Sequence, residues 1–147
     1  MQAREVTDEI AVSPEISVED VSDIAAAGYR SIICNRPDGE TIGQARFEEI
    51  EAAAREAGLE IVWQPVPSGQ VMDEDGRQFA ELVADLPKPV YAYCRSGTRC
   101  IVLWSLGEAA RGAREPADIV RRAGEVGYDL RALMPRLEAL KAATDAK

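Results

Sequence analysis

Histidine is absent from the sequence. The chain therefore cannot form the Cys-His or Ser-His pairs of many hydrolases, and it lacks a ligand that most protein zinc sites use. We expect no metal site and no other cofactor, so any catalysis must rely on other side chains.

Cysteine is scarce as well. Cys34, Cys94 and Cys100 form no Cys-x-x-Cys pair and leave an odd thiol, which argues against a disulfide framework and favours a reducing compartment. No apolar run approaches membrane-spanning length, and the N-terminus lacks the apolar segment of a signal peptide. These absences predict a cytoplasmic protein that does not act at a membrane.

Acidic residues outnumber basic residues, and the net charge is −9. Such a charge argues against nucleic acid and acidic membranes as partners, because both are polyanions. At 147 residues the chain is long enough for one domain, which we expect to span residues 1–147.

The apolar pattern alternates between strands and helices. Strands are predicted at 9–12, 29–34, 59–66 and 89–93, with helices at 17–28, 43–57 and 73–86 between them and a fourth helix after residue 98. This order predicts an α/β fold with a mainly parallel sheet of four to five strands and helices on both faces. A C-terminal helical segment follows, with a restart at Pro135.

The same periodicity predicts which side chains face the core. In the first helix, Val18, Val21 and Ile24 form one apolar stripe. Trp63 and Trp104 also follow the apolar pattern, so both are predicted to be buried.

Cys94 lies at the junction between a predicted strand and a predicted helix. Backbone N–H groups and the positive end of the helix dipole create an anion site there, and the same field lowers the pKa of a cysteine. Arg95 and Arg99 add cationic donors, and Gly97 lets the backbone close around an anion. We predict a thiolate nucleophile at Cys94 that acts on a small anionic substrate. The remaining members of the predicted anion-binding loop are Ser96 and Thr98.

Other loops should reach the same edge of the sheet, because parallel strands bring their carboxyl ends together. Cys34, the loop that contains Asp38, and the Ser68–Gly69 loop are therefore predicted to share a cleft with Cys94.

Three segments together resemble the bacterial DUF442 family, also called the phosphatase-like domain of beta-lactamase hydrolase-like proteins or the sulfurtransferase/phosphatase family. The segments are 13–17, 34–40 and 93–99, and the resemblance covers about residues 7 to 112. It implies a fold like that of tyrosine and dual-specificity phosphatases, with Cys94 as nucleophile and Arg99 as its anion-binding partner. It also implies a persulfide dioxygenase as a partner, since relatives occur fused to such enzymes or encoded beside them.

One departure from the tyrosine phosphatase pattern favours sulfur chemistry. Only four residues separate Cys94 from Arg99, Cys100 stands where the phosphatase arginine is expected, and Tyr93 replaces the preceding histidine. The spacing resembles that of rhodanese-type sulfurtransferases. A shorter loop makes a smaller cradle, which suits a terminal sulfur better than a phosphoryl group. We therefore predict a sulfurtransferase that carries a persulfide on Cys94 and passes the sulfur from a small anionic donor to a thiol acceptor.

Two alternatives remain open. A phosphatase would act on a phosphoester, form a phosphocysteine at Cys94 and use a general acid, for which Asp38 and Asp73 are the candidates. A thiol redox sensor would use Cys34 or Cys100 to resolve oxidation of Cys94.

Overall fold

Five strands form one sheet in the computed structural model, which describes residues 2–146. The spatial order is β1-β2-β5-β3-β4, and every pairing is parallel except that of β1 with β2. The prediction of a mainly parallel sheet is confirmed; the short β1 is an addition to the predicted strands. The strands are β1 (Arg4–Glu5), β2 (Ile10–Ser13), β3 (Ser31–Cys34), β4 (Glu60–Trp63) and β5 (Val90–Tyr93).

Helices cover both faces of this sheet, as predicted. Alternate residues of β2, β3 and β5 point into two separate apolar clusters, one packed by α1 and α2 and the other by α3 to α6. No helix within residues 2–146 is long and apolar enough to cross a membrane. The helices are α1 (Asp20–Ala26), α2 (Phe47–Glu56), α3 (Asp73–Asp85), α4 (Thr98–Ala110), α5 (Pro116–Glu125) and α6 (Met134–Asp145), with a 3-10 helix (Arg131–Leu133) before α6.

A helix begins later than predicted where a glycine or a capping side chain sets its first residue. Helix α2 begins at Phe47 instead of residue 43, because Gly43 has a φ of +83° and the Asp38 carboxylate accepts the Phe47 N–H at 2.8 Å. Helix α6 restarts at Met134 with Pro135 in its first turn, as predicted.

The prediction of burial is wrong for two residues. Val18 precedes α1 and is 36% exposed, because the helix begins only at Asp20, whose carboxylate accepts the Ser17 N–H. Trp63 is 39% exposed, because it ends the edge strand β4, where its ring stacks on Phe47. Trp104 is buried, as predicted.

Helix α4 lies in the centre of the larger cluster and packs closely on α3. Two glycines make this approach possible: a Cβ on Gly107 would lie 2.7 Å from the carbonyl oxygen of Gly76 and 3.0 Å from Ala80 Cβ. Because that oxygen belongs to the backbone of α3, it cannot move without shifting the helix. The close contact fixes the depth of α4 and therefore the position of the loop that precedes it.

Gly107→Ala should destabilise the fold. Alanine favours a helix, but the overpacking against α3 should lower the free energy of unfolding by about 1 to 3 kcal/mol in urea titrations. Gly124→Ala is the matched control, since Gly124 is exposed in α5 and a Cβ there meets no atom within 4 Å. Equal or higher stability of Gly107→Ala would contradict the close-packing interpretation.

Candidate active site

The Cys94 loop joins the central strand β5 to the start of α4. The Cys94 N–H donates to the Ser13 carbonyl at 3.3 Å, and the Glu15 N–H donates to the Arg95 carbonyl at 3.1 Å. These two hydrogen bonds continue the parallel pairing of β2 with β5 beyond the ends of the strands. The loop is therefore fixed on the side of β2 before it turns into the helix.

Gly97 makes the turn with a φ of +88°, a conformation that a side chain would strain. Its N–H donates to the Cys94 Sγ at 3.1 Å. A Cβ at this position would also collide with the Tyr128 hydroxyl, which donates to the Ser96 carbonyl at 2.9 Å. Tyr128 thus supports the loop from the C-terminal helical segment.

The environment of Cys94 favours the thiolate. A hydrogen bond from the Cys100 side chain is the largest of the causes that lower the pKa of Cys94 from 9.0 to about 6. Burial opposes this shift, whereas the N–H groups of Cys100 and Gly97 and the charge of Arg99 add to it. The cysteine is buried, with no exposed surface. The predicted thiolate therefore has a physical basis in this structure.

Cys100 remains a neutral thiol in the first turn of α4. Burial, together with the neighbouring Cys94 sulfur, raises the pKa of Cys100 well above its ordinary value. Its Sγ lies 3.3 Å from the Asn35 Oδ1, and a thiol has one hydrogen, so the bonds to Asn35 and to Cys94 are alternatives. A thiolate acceptor makes the stronger bond, so the hydrogen belongs on the Cys94 side once Cys94 is ionised.

Arg99 is held by a carboxylate on another loop. Its Nη1 and Nη2 donate to the two oxygens of Glu40 at 2.8 and 2.9 Å, and Nη1 also donates to the Val66 carbonyl at 3.0 Å. Arg36 adds a bond from its Nε to Glu40 at 3.0 Å. The hydrogen bonds from Arg99 and then Arg36, opposed by burial, hold the pKa of Glu40 below its usual 4.5.

A cavity of about 540 Å³ adjoins the loop. Arg95, Arg99 and Arg136 contribute three guanidinium groups to its lining, and no carboxylate lines it within residues 2–146. Ser68 and Gly69 line it too, which confirms that their loop reaches the same edge as the Cys94 loop. Cys94 itself is covered by the loop and does not line this space.

Several residues singled out in the sequence lie outside the cavity. The Asp38 carboxylate caps α2, and Asp73 forms an ion pair with Arg136 at 2.6 Å. Cys34 is a buried thiol whose Sγ lies 3.4 Å from the Arg36 carbonyl, on the strand that pairs with β5. No cluster of three or more metal-ligating side chains occurs in the described part of the chain.

Glu40, Tyr128 and Arg136 were missed by reasoning from the sequence. Glu40 lies in the polar loop between β3 and α2, so a search for a carboxylate partner of Arg99 in that loop could have found it. Tyr128 and Arg136 come from a helical segment with no motif of its own, and only the tertiary structure brings them to the loop.

Comparison with known proteins agrees with the resemblance seen in the sequence. A family profile described as "Beta-lactamase hydrolase-like protein, phosphatase-like domain" matches residues 2–111. The Beta-lactamase hydrolase-like protein of Agrobacterium fabrum is 34% identical over 143 residues, which are 97% of this chain and 33% of that protein. The chain thus spans about a third of the length of the curated relatives it matches.

Solved structures give the same picture. A candidate phosphatase from Neisseria meningitidis is 35% identical, covers 95% of this chain and 99% of its own, and superimposes with a TM-score of 0.84. TpbA of Pseudomonas aeruginosa, solved with phosphotyrosine, is 9% identical, with a TM-score of 0.69 over 99% of this chain and 91% of its own, which shows the fold alone. The fold is that of the tyrosine and dual-specificity phosphatases, with a C-terminal helix. The segment that the profile matches contains both the Cys94 loop and Glu40. By this match, the chain belongs to the family of phosphatase-like domains of beta-lactamase hydrolase-like proteins.

Proposed function

We propose that the chain is a cysteine-dependent phosphatase with Cys94 as its nucleophile. The observation that carries this proposal is a cysteine with a pKa of about 6 in a loop of N–H donors, next to a cavity lined by three arginines. Two comparisons support it: the family is phosphatase-like, and TpbA, of the same fold, holds phosphotyrosine in its structure. Sulfur transfer, the main prediction from the sequence, becomes the second candidate.

The donor count at Arg99 suits a phosphoryl group. A guanidinium has five N–H hydrogens, and Glu40 and Val66 take three of them. The Nε hydrogen and one Nη2 hydrogen have no acceptor within the described residues. These two lie on one edge of the guanidinium and can bind two oxygens of a phosphoryl group in a fork.

The reaction would proceed in two steps. The Cys94 thiolate attacks phosphorus, the bond to the leaving oxygen breaks, and Arg99 with the loop N–H groups stabilises the charge on the equatorial oxygens. Water then attacks the phosphocysteine, which releases phosphate and returns the electron pair to sulfur. The Cys100 thiol stabilises the departing thiolate by donating its hydrogen.

The first step also requires a proton for the leaving group, and the candidate acids lie outside the cavity. Asp38 and Asp73 remain the candidate general acids, but Asp38 caps α2 and Asp73 is paired with Arg136. With no carboxylate in the cavity lining of residues 2–146, leaving groups of low basicity should react best, because they need little help from an acid.

Sulfur transfer is favoured by one specific observation. The loop places four residues between Cys94 and Arg99 and leaves Cys94 with no exposed surface, so a small transferred atom would fit with less rearrangement. A persulfide dioxygenase partner and a thiol acceptor belong to this candidate. A redox sensor has weaker support, because the three cysteines are free, buried thiols.

A turnover assay separates the two enzymatic candidates. Fully reduced protein should release phenol from an aryl phosphate, and Cys94→Ser should abolish the release, whereas Cys34→Ser should retain it as a matched buried thiol outside the loop. Intact mass after brief exposure to thiosulfate or glutathione persulfide should show no added sulfur. A sulfur adduct on Cys94 that thiol removes, without phenol release, would overturn the phosphatase proposal in favour of sulfur transfer.

The hydrogen bond from Cys100 should set the pKa of Cys94. Ultraviolet absorbance of the thiolate should rise with pH around the pKa of about 6, and this transition should be missing in Cys94→Ser. Cys100→Ala removes the donor and should move the transition to higher pH, whereas Cys100→Ser keeps a donor and should leave it near or below the wild-type value. An unchanged transition in Cys100→Ala would show that another group stabilises the thiolate.

Glu40→Gln should weaken both the fold and the reaction. The change removes the carboxylate that holds two buried arginines, so the free energy of unfolding should fall by about 2 to 3 kcal/mol at neutral pH. Turnover should also decrease, because Arg99 loses its orientation.

The pH dependence of stability provides the control. Since the folded pKa of Glu40 lies below its unfolded value, its contribution is complete above the unfolded pKa and disappears as pH falls through the folded pKa. Wild type should therefore lose more stability on acidification than Glu40→Gln. Glu51→Gln, which breaks only the surface pair with Arg55, should match wild type in turnover and differ little in stability.

A further inference from the structure

Two arginines in addition to Arg99 line the cavity beside the Cys94 loop. Arg99 has a carboxylate partner in Glu40, and Arg136 has one in Asp73. Arg95 is exposed and makes no ion pair or hydrogen bond through its side chain within residues 2–146. This concentration of cations is a local exception on a chain with a net charge of −9.

Arg136 is positioned by two contacts that leave part of its guanidinium available. Its Nε donates to the Asp73 Oδ1 at 2.6 Å, and its Nη2 donates to the Val71 carbonyl at 2.8 Å. The Nη1 group has no acceptor in the described chain. Because both anchors belong to the segment that opens α3, the side chain is oriented before any ligand arrives, which reduces the entropy lost on binding.

The rest of the lining does not resemble a site for an aromatic ring. Val71 and Val102 are its apolar members, and no aromatic side chain lines it among residues 2–146. The hydroxyl groups of Ser68, Ser96 and Thr98 complete a polar wall. A small, strongly polar molecule fits this composition better than the ring of a phosphotyrosine peptide.

We propose that Arg136 and Arg95 form a second anion subsite, so that the preferred substrates are small phosphate compounds with a second phosphate or a carboxylate near the reacting one. This inference rests on the proposed phosphatase function and names its substrate class. Arg99 and the loop N–H groups hold the phosphoryl group that is transferred. Arg136, contributed by α6 beyond the segment that the family profile matches, determines specificity through the second group.

A binding experiment tests the subsite without turnover. In Cys94→Ser protein, calorimetry should show that pyrophosphate binds at least about tenfold more tightly than inorganic phosphate. Arg136→Gln should reduce the affinity for pyrophosphate about tenfold and that for phosphate much less, since only the second group loses its donor. Arg136→Lys keeps the charge and should retain part of the preference.

The matched control is Arg131→Gln. Arg131 is another arginine of the C-terminal segment that is paired with an aspartate, but it does not line the cavity, so both affinities should stay near those of the Cys94→Ser parent. Equal affinities for the two probes in the parent, or an equal loss for both probes in Arg136→Gln with its circular dichroism unchanged, would overturn the subsite.

The two proposals fail in different ways. Absence of phenol release from an aryl phosphate by the wild-type chain would remove the phosphatase function, whatever the binding results. Phenol release together with equal binding of phosphate and pyrophosphate would leave the phosphatase in place and remove the subsite.

Discussion

The site depends on one carboxylate, that of Glu40, which pairs with two buried guanidinium groups. Arg36 and Arg99 are 3% and 7% exposed, and a buried charge costs several kcal/mol unless it is paired. Glu40 receives bonds from both, and Arg36 adds a second pair with Glu15 at 2.8 Å. Three segments that the sheet only brings near one another, after β2, after β3 and at the start of α4, are thereby locked together. The orientation of Arg99 follows from this arrangement and not from the loop sequence alone.

The core supplies the second part of the constraint. Helix α4 is buried along most of its length, and the glycine contact with α3 fixes its depth, so the loop in front of it cannot shift independently. Tyr128 closes the loop from the opposite side through the Ser96 carbonyl. Cys94, the proposed nucleophile, is therefore held in place partly by residues that follow the matched family segment in the chain.

The parts of the structure that local patterns dictate could be predicted from the sequence. Apolar periodicity placed β3, β5 and α3 correctly, and Cys94 lies at a strand-to-helix junction, as predicted. Trp63 was misplaced because periodicity cannot tell an edge strand from a central one. Glu40, Tyr128 and Arg136 act through partners 59, 32 and 63 residues away, and no spacing rule reports such contacts. The loops of the candidate site are predicted as loops from the sequence, but which of them contact one another depends on the fold.

Loop length and donor count point to different transferred groups. A short loop contracts the ring of N–H donors, and this contraction alone favours a single sulfur atom. The side chain of Arg99, which follows the loop in α4, offers donors that do not depend on the loop's length. Two of its hydrogens have no acceptor within residues 2–146 and match two phosphoryl oxygens, whereas the single sulfur atom carried by a persulfide offers no such pair of oxygens. A volume of about 540 Å³ is also far larger than one sulfur atom requires. The ring determines how closely the group approaches Cys94, whereas the fork and the cavity determine which group is held, and for this reason the phosphoryl interpretation outweighs the one based on loop length.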